Sequence, residues 1–475
     1  MAELLLLIGL AAGDETALTV RSISAVDVAA DRAEEDVLET TTRLAASAKG
    51  GELTRWSLGV LAEHTLRVGT DTEAMLRIRA DESGIDAPLG PFRVRAGYLV
   101  ERWGKLDLLP VVDVINARDL RHGLLTPSQH LRLPAGMVRL QYGSGSARAE
   151  LTWLPVPPRD VGSILETDWS ILRQGWLTEL ASEAATWEGD ALTESSLQDG
   201  LSMLSAGLSD LDGWTTSGLS QLSSTAGLPQ ATGAGSDVFL RIEADGPGID
   251  GALLGGVMTV RQPALQLEES LLVYLKEQRL PGYSEQEALL EALSEPVDQL
   301  TPRTLIAGAE LGTLVGPVGV RAEGLWTAET AVSRDWFQAA TAPAIAAGAG
   351  LDWARGTMIF TAEGSWRRLL NAPADPWLTQ ADHIQFGGGM VARVLAERMT
   401  VQLGGLYDLT FSEHLLQSAL SWRASDRIEL TAGVLLLGGS EAAPSSLLEA
   451  ASYAGGPMGY WGDNDCFTIE MAYIR

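Results

Sequence analysis

The 475-residue chain carries, over its second half, a two-residue alternation of apolar and polar side chains cut into segments of about ten residues, the length of a tilted strand that crosses a bilayer. Successive side chains of a β-strand point to opposite faces, so such segments fold as strands with one apolar and one polar face. In residues 318–326, Val318, Val320, Ala322 and Trp326 share one face, and Gly319, Arg321 and Glu323 the other. The parity returns in Ile384, Phe386, Met390, Ala392 and Val394 against His383, Gln385 and Arg393. It returns again in Met399, Val401, Leu403, Tyr407 and Leu409 against Thr400, Gln402 and Asp408, and in Ile428, Leu430, Ala432, Val434 and Leu436 against Arg427, Glu429 and Thr431.

The joints between segments alternate as well. Val315-Gly316-Pro317, Arg355-Gly356, Ala396-Glu397-Arg398 and Ser425-Asp426 are tight turns, whereas 327–340, 370–382 and 439–465 are long and polar or rich in Gly and Pro. Short and long joints in alternation are what an outer-membrane barrel needs, with short turns at one rim, long loops at the other and no open strand edge in hydrocarbon. Followed back, the parity places strands near 17–28, 36–48, 53–68, 74–81, 92–101, 136–144, 147–155, 236–245 and 251–261, which with nine from residue 303 onward makes eighteen. Weak alternation in the first hairpin leaves sixteen open. Tyr142, Trp153, Trp326, Trp353 and Trp366 stand near strand ends, the place of an aromatic girdle. The expectation is an all-β fold: a closed antiparallel transmembrane β-barrel of about 16–18 strands, with helical insertions in its extracellular loops. A large soluble β-sandwich, which also alternates, is the competing architecture.

Two stretches depart from the alternation. Residues 161–235 have helical spacing (Leu172, Trp176, Leu180, then Leu197, Leu201, Leu204, Leu208, Leu211), and 264–302 includes SEQEALLEALS. Both fall on the long-loop rim, as lids, binding surfaces or caps. Residues 4–12 (LLLLIGLAA) have the length and position of a secretory signal core without its basic flank, so the mature barrel is expected over 13–475 as one domain. No stretch reaches the ~18 uninterrupted apolar residues of a spanning helix; 336–351 comes nearest and contains Pro343.

Charge and residue usage narrow the function. With Lys plus Arg 34 against Asp plus Glu 62, the net charge of −28 excludes a general nucleic-acid binder. One cysteine, Cys466, and five histidines leave no disulfide framework and no zinc cluster. No Gly-x-Ser-x-Gly elbow, phosphate loop or His-carboxylate metal motif is present, and Gly387-Gly388-Gly389 lies within a strand, where it relieves crowding. The expectation is no enzyme, no cofactor and no resident metal.

The segment 92–158 carries a family likeness. It reads FRVRAGYLVERWGKLDLLPVVDVINARDLRHGLLTPSQHLRLPAGMVRLQYGSGSARAELTWLPVP, with Trp103-Gly104, Asp107, the run Asp113 through Leu120, and Leu133-Pro134 leading into a strand. In this it resembles the uncharacterised porin-like outer-membrane barrels of Gram-negative bacteria, with Ala117 where that family's Asn-Pro-Arg-Asp has proline. Residues 301–326 and 462–475 fit the same family, although the C-terminal barrel signal usually ends in an aromatic residue and this chain ends in Arg475. The resemblance implies an outer-membrane barrel, and export or uptake of hydrophobic compounds is associated with some relatives. Fold transfers by resemblance better than function does.

If the apolar parity faces lipid, the opposite parity lines a lumen with Arg93, Arg95, Glu101, Arg139, Arg148, Glu150, Arg321, Glu323, Glu363, Arg393, Arg423, Arg427 and Glu429. Rows of both signs either orient and select a solute or pair with one another to fill a closed barrel. The loop from Trp103 to Leu133, folded inward, would narrow the pore. Trp103, Asp107, Asp113, Asn116, Arg118 and Asp119 would then be constriction residues, or would hydrogen-bond the loop to the wall. Asp113 and Asp119 could alternatively hold a hard cation through oxygen. The reading is a porin-like channel for passive diffusion of a small solute. Its alternatives are a carrier for hydrophobic compounds and a plugged barrel that docks a partner through its outer loops. The expected partners are outer-membrane lipid, lipopolysaccharide and the barrel assembly machinery, with no nucleic acid; a homo-oligomer is left open.

Overall fold

A computed structural model describes residues 15–27, 38–51, 54–68, 72–121, 131–161, 235–277, 297–462 and 464–474. The signal segment at 4–12, the helical spacing from Leu172 to Leu211 and the SEQEALLEALS segment lie outside the described residues. The first ten strands are β1 (Glu15–Asp27), β2 (Leu38–Gly50), β3 (Arg55–Val68), β4 (Thr72–Ala80), β5 (Ser83–Leu89), β6 (Phe92–Leu99), β7 (Ala135–Ser144), β8 (Ala147–Leu154), β9 (Asp237–Gly246) and β10 (Ile249–Thr259). A short ribbon, β11 (Ala264–Leu267) with β12 (Val297–Leu300), and helix α1 (Glu269–Glu277) follow. The remainder is β13 (Arg303–Val315), β14 (Val318–Arg334), β15 (Gln338–Arg355), β16 (Met358–Leu369), β17 (Asp382–Val394), β18 (Met399–Asp408), β19 (Glu413–Arg423), β20 (Ile428–Gly438) and β21 (Cys466–Ile474). Between β20 and β21 lie two short helices, α2 (Leu447–Ala451) and α3 (Pro457–Tyr460). No described helix is long and apolar enough to cross a membrane.

Nineteen strands form one sheet in which every pairing is antiparallel, and β1 pairs with β2 on one side and with β21, at the other end of the chain, on the other. The sequence parity missed β5. Strand β3 pairs first with β4, Val60 opposite Ala80, and then with β5, Ser57 opposite Gly84, so β4 and β5 are one strand broken at Asp81 and Glu82. Ser83 fills the break: its Oγ accepts the Gly59 N–H at 2.8 Å, and its hydroxyl reaches the Asp81 carbonyl at 2.9 Å. A one-residue insertion of this kind is a β-bulge, which interrupts polar alternation without ending the strand. Counted so, eighteen strands remain.

Five joints are two-residue turns, each with one glycine at positive φ: Gly90, Gly145, Gly248, Gly316 and Gly356, between +60° and +76°. Nothing lies within 4 Å of a Cβ built at these positions, so the dihedral and not crowding demands glycine. Residues 327–340, expected as a loop, are mostly strand. β14 continues to Arg334 across a register shift between Thr327 and Thr330, and β15 begins at Gln338. Backbone pairing carries on there without an apolar outward row, which only hydrocarbon contact would require.

The two faces of the sheet invert the usual burial rule. Leu253 is 65%, Ile469 55% and Leu403 48% exposed on the outer face, whereas Arg43 (3%), Glu310 (4%), Glu323 (5%) and Glu363 (4%) are buried on the inner one. Apolar side chains are normally inside and charged ones outside. A buried apolar cluster forms where residues 99–115 cover the inner face: Leu99, Trp103, Val112 and Ile115 pack with Met137, Leu154, Phe239, Leu254, Met258 and Ile306.

Candidate functional site, an inward-folded loop clamped by wall carboxylates

The chain leaves β6 at Leu99 and returns in β7 at Ala135, and the described part of the connection lies against the inner face. Gly104 turns it, at φ +95°, beside Glu323. From there the backbone wraps two carboxylates. Glu323 Oε1 accepts the N–H groups of Lys105 and Leu106, and Oε2 those of Val111 and Val112 at 2.8 and 3.0 Å. Glu363 Oε1 accepts the Asp107 N–H at 2.8 Å, and Oε2 accepts Leu108 and Leu109, both at 2.8 Å. Seven consecutive-turn amides, which a loop in an apolar environment would leave unpaired, are thus satisfied by two wall side chains on β14 and β16.

Arg321, two residues before Glu323 in the same row of β14, completes the anchor. It reaches Asp107 at 2.6 Å, Asp352 at 2.8 Å and Glu363 at 3.0 Å, and also donates to the Lys105 carbonyl. Lys105 in turn pairs with Asp250 on β10. Burial alone would push the Asp107 carboxyl up, but hydrogen bonds from Arg321 and Arg102 outweigh it and hold the group below the ordinary carboxylate range. Room for the loop comes from two glycines of β15: a Cβ at Gly348 would stand 2.5 Å from Leu106 Cδ1, and one at Gly350 2.9 Å from Leu106 Cδ2.

The base of the loop is pinned separately. Asn116, buried, donates through Nδ2 to the carbonyls of Leu99 and Leu133 at 3.0 and 2.8 Å and accepts the Glu101 N–H at 2.7 Å. Trp103 stands edge-on to Phe239, ring centroids 5.6 Å apart. Arg118 donates its N–H to Asp160 at 2.8 Å, and burial pushes the Asp160 carboxyl up. Asp113 pairs with Arg132, and Asp119 with Arg121 at 2.9 and 2.6 Å. The two aspartates therefore have different cationic partners. Burial opposes ionisation of Asp119, but the Arg121 hydrogen bonds win and keep its carboxyl low.

The remaining wall residues divide by whether they have an ion-pair partner. Arg93 pairs with Asp86, Arg95 with Glu82, Arg139 with Glu101 and Glu150, and Arg148 with Glu243. Arg393, Arg423, Arg427 and Glu429 lie toward the short-turn rim, away from the loop, and make no side-chain ion pair among the described residues.

Sequence reasoning missed a second inward-folded element. Residues 439–465, between β20 and β21, lay α3 against the inner face, where Met458 packs on Leu415, Leu435, Leu437 and Cys466. Glu413 repeats the carboxylate clamp, accepting Gly456 N–H at 2.6 Å and Met458 N–H at 2.9 Å. Trp377, from the β16–β17 connection, donates its indole N–H to the Ala450 carbonyl at 2.8 Å and packs edge-on to Phe337 and Tyr460. Three outer connections are thereby tied together. Nothing in the local pattern around Glu413 distinguishes it from any other strand-end glutamate.

No family model and no curated protein matches the sequence. Among solved structures, the chain is similar to OccAB4 of Acinetobacter baumannii (8% identity, 98% of each chain, TM-score 0.47). It is similar also to OccK2 (OpdF) of Pseudomonas aeruginosa (9% identity, 97% of this chain and 96% of that one, TM-score 0.47). A third is a BenF-like porin of Pseudomonas fluorescens (10% identity, 97% of each chain, TM-score 0.47). The structural neighbours of this chain are outer-membrane porins of Gram-negative bacteria.

Proposed function

We propose that the chain closes into an eighteen-strand transmembrane barrel in the outer membrane and passes a small solute by diffusion through a lumen narrowed by the inward-folded connection between β6 and β7. The observation that carries this reading is the inversion of the two faces: large apolar side chains stand exposed all along the outer one, while charged side chains are buried on the inner one. Hydrocarbon accepts the first arrangement and demands internal pairing of every backbone group, which the β1–β21 ladder supports. Outward-exposed Tyr142, Trp153, Trp326 and Trp353 suit the girdle. In this reading Asp107, Arg102 and Arg321 stand at the narrowing, and Trp103, Asn116 and Asp119 hold the loop in place.

The second inward element, 439–465, favours a rival reading in which the barrel is plugged. Ion conductance in planar bilayers separates the two. Correctly folded protein, identified by its heat-dependent migration on detergent gels, should give discrete conductance steps; folded protein without conductance would overturn the channel and leave the plugged barrel.

A further inference from the structure

We propose that the wall carries a lateral portal beside β4, through which an amphipathic molecule with one apolar tail and a hydrogen-bonding head passes between the lumen and the membrane; this deepens the channel reading above and rests on it. The departure of the chain into the inward loop makes the gap. β6 ends at Leu99, its ladder with β5 stops at Tyr98 opposite Ser83, and Glu101 already donates its N–H to Asn116 of the loop base. β4 continues past that level for nine residues, Thr72 to Ala80, which is an edge of about 30 Å. Of the nineteen strands in the sheet, β4 alone has a partner on one side only among the described residues, and that partner is β3.

Register tells which backbone groups are left over. Asp81 donates its N–H to the Gly59 carbonyl at 2.9 Å, and bonded pairs alternate along an antiparallel ladder, so Arg79 and Arg77 bond across to Leu61 and Glu63. Leu76, Ile78 and Ala80 therefore turn their N–H and C=O groups to the open side, where no described residue pairs with them. Hydrocarbon does not accept unpaired backbone groups, so the gap is a slot lined by water or by a ligand head that supplies the missing partners.

The outer lip of the slot is apolar: Leu76 is 65% and Ile78 54% exposed. Its inner side is polar, where Arg79 stands 3.9 Å from Asp119 of the inward loop. An apolar lip beside an unpaired polar edge fits a molecule built the same way, its tail along Leu76 and Ile78 and its head on the backbone groups of Leu76, Ile78 and Ala80. A strand from another chain would also satisfy that edge by β-augmentation, but it would close the slot.

The test uses the full chain in nanodiscs and planar bilayers, with dodecanoate as the amphipathic probe. The amides of Leu76 and Ile78 should exchange about a hundredfold faster than those of Leu61 and Arg79, which bond within the ladder. A photoreactive dodecanoate should label Leu76 about tenfold above Leu253 on β10, the factor that two buried methylenes supply. Leu253 is equally exposed (65%) but lies on a strand paired on both sides. Ile78→Glu should bring the labelling of Leu76 down to that of Leu253. In single-channel recordings dodecanoate, entering the slot from the lumen, should interrupt the current, and acetate, which lacks the tail, should not. A conducting wild type whose Leu76 and Ile78 amides exchange as slowly as those of Leu61 and Arg79 has its edge covered, which overturns the portal and leaves the channel. Equal labelling of Leu76 and Leu253, or a current that dodecanoate never interrupts, overturns it likewise. If folded protein gives no conductance, the channel reading falls, and exchange and labelling of the wild type, which need no current, decide the slot alone.

Discussion

Replacing Glu323 by Gln tests the clamp where the structure makes it strongest. The carboxylate accepts four loop N–H groups, two on each oxygen. The amide keeps one oxygen and turns an NH2 toward two of those donors, which then lose their acceptor while buried. Each stranded donor costs about 1–3 kcal/mol, and the two surviving bonds weaken from charge-assisted to neutral strength by about 1 kcal/mol each. No arginine or lysine pairs with Glu323 among the described residues, so removing its buried charge recovers part of that loss. A net release of about 3 kcal/mol follows, which multiplies the population of the detached loop about a hundredfold at about 1.4 kcal/mol per decade. Single-channel recordings should then flicker between the wild-type level and a wider one, with faster hydrogen exchange at the amides of Lys105, Leu106, Val111 and Val112. Heat-dependent gel migration should stay as in the wild type, because the strand ladders are untouched. An E323Q channel with wild-type conductance, noise and exchange at those four amides would show that the carboxylate does not hold the loop.

Gly104→Ala strikes the same contact from the other side: at φ +95° with a Cβ 2.6 Å from Glu323 Oε1, it should cost about 1–3 kcal/mol of loop stability and reproduce the flicker. Asn116→Ala removes three buried hydrogen bonds at the loop base and should cost about 3 kcal/mol, read as proteolytic nicking near the loop in otherwise folded barrels. Glu413→Gln should free the second inward element but leave the first, so that Trp377 fluorescence shifts to the red while exchange at Val111 and Val112 is unchanged. The Asp107 carboxyl lies below its ordinary value, so its contribution is fully present above the unfolded value of about 3.9 and is lost only as the pH falls through the lower folded one. Protection factors of the loop amides should therefore stay flat from pH 7 to about 5 and fall only below about 4; a fall centred near pH 6 would contradict the Asp107–Arg321 contact.

Much of the wall was legible because its cause is local. Side-chain alternation has a period of two wherever one face meets apolar surroundings, so the parity of Val318, Val320 and Ala322 against Arg321 and Glu323 survives intact from sequence to sheet. The same rule failed where its cause was missing. At 327–340 the strands run past the apolar band, and at Asp81 and Glu82 a bulge shifts the parity by one residue. The site was less legible. Trp103, Asp107, Asn116 and Asp119 could be singled out, but whether they face solute or the wall depends on partners more than two hundred residues away for Asp107 (Glu363 and Arg321), on Phe239 of a distant strand for Trp103, and on nearer residues for Asn116 and Asp119.

By itself the sequence determined most of the strands and which side chains share a face, since both follow from neighbours two residues apart, while it left their number between sixteen and eighteen. Only the tertiary structure decided which connections turn inward and what the buried charges do. Glu323, Glu363 and Glu413 look alike as strand carboxylates until the folded chain brings loop amides onto them.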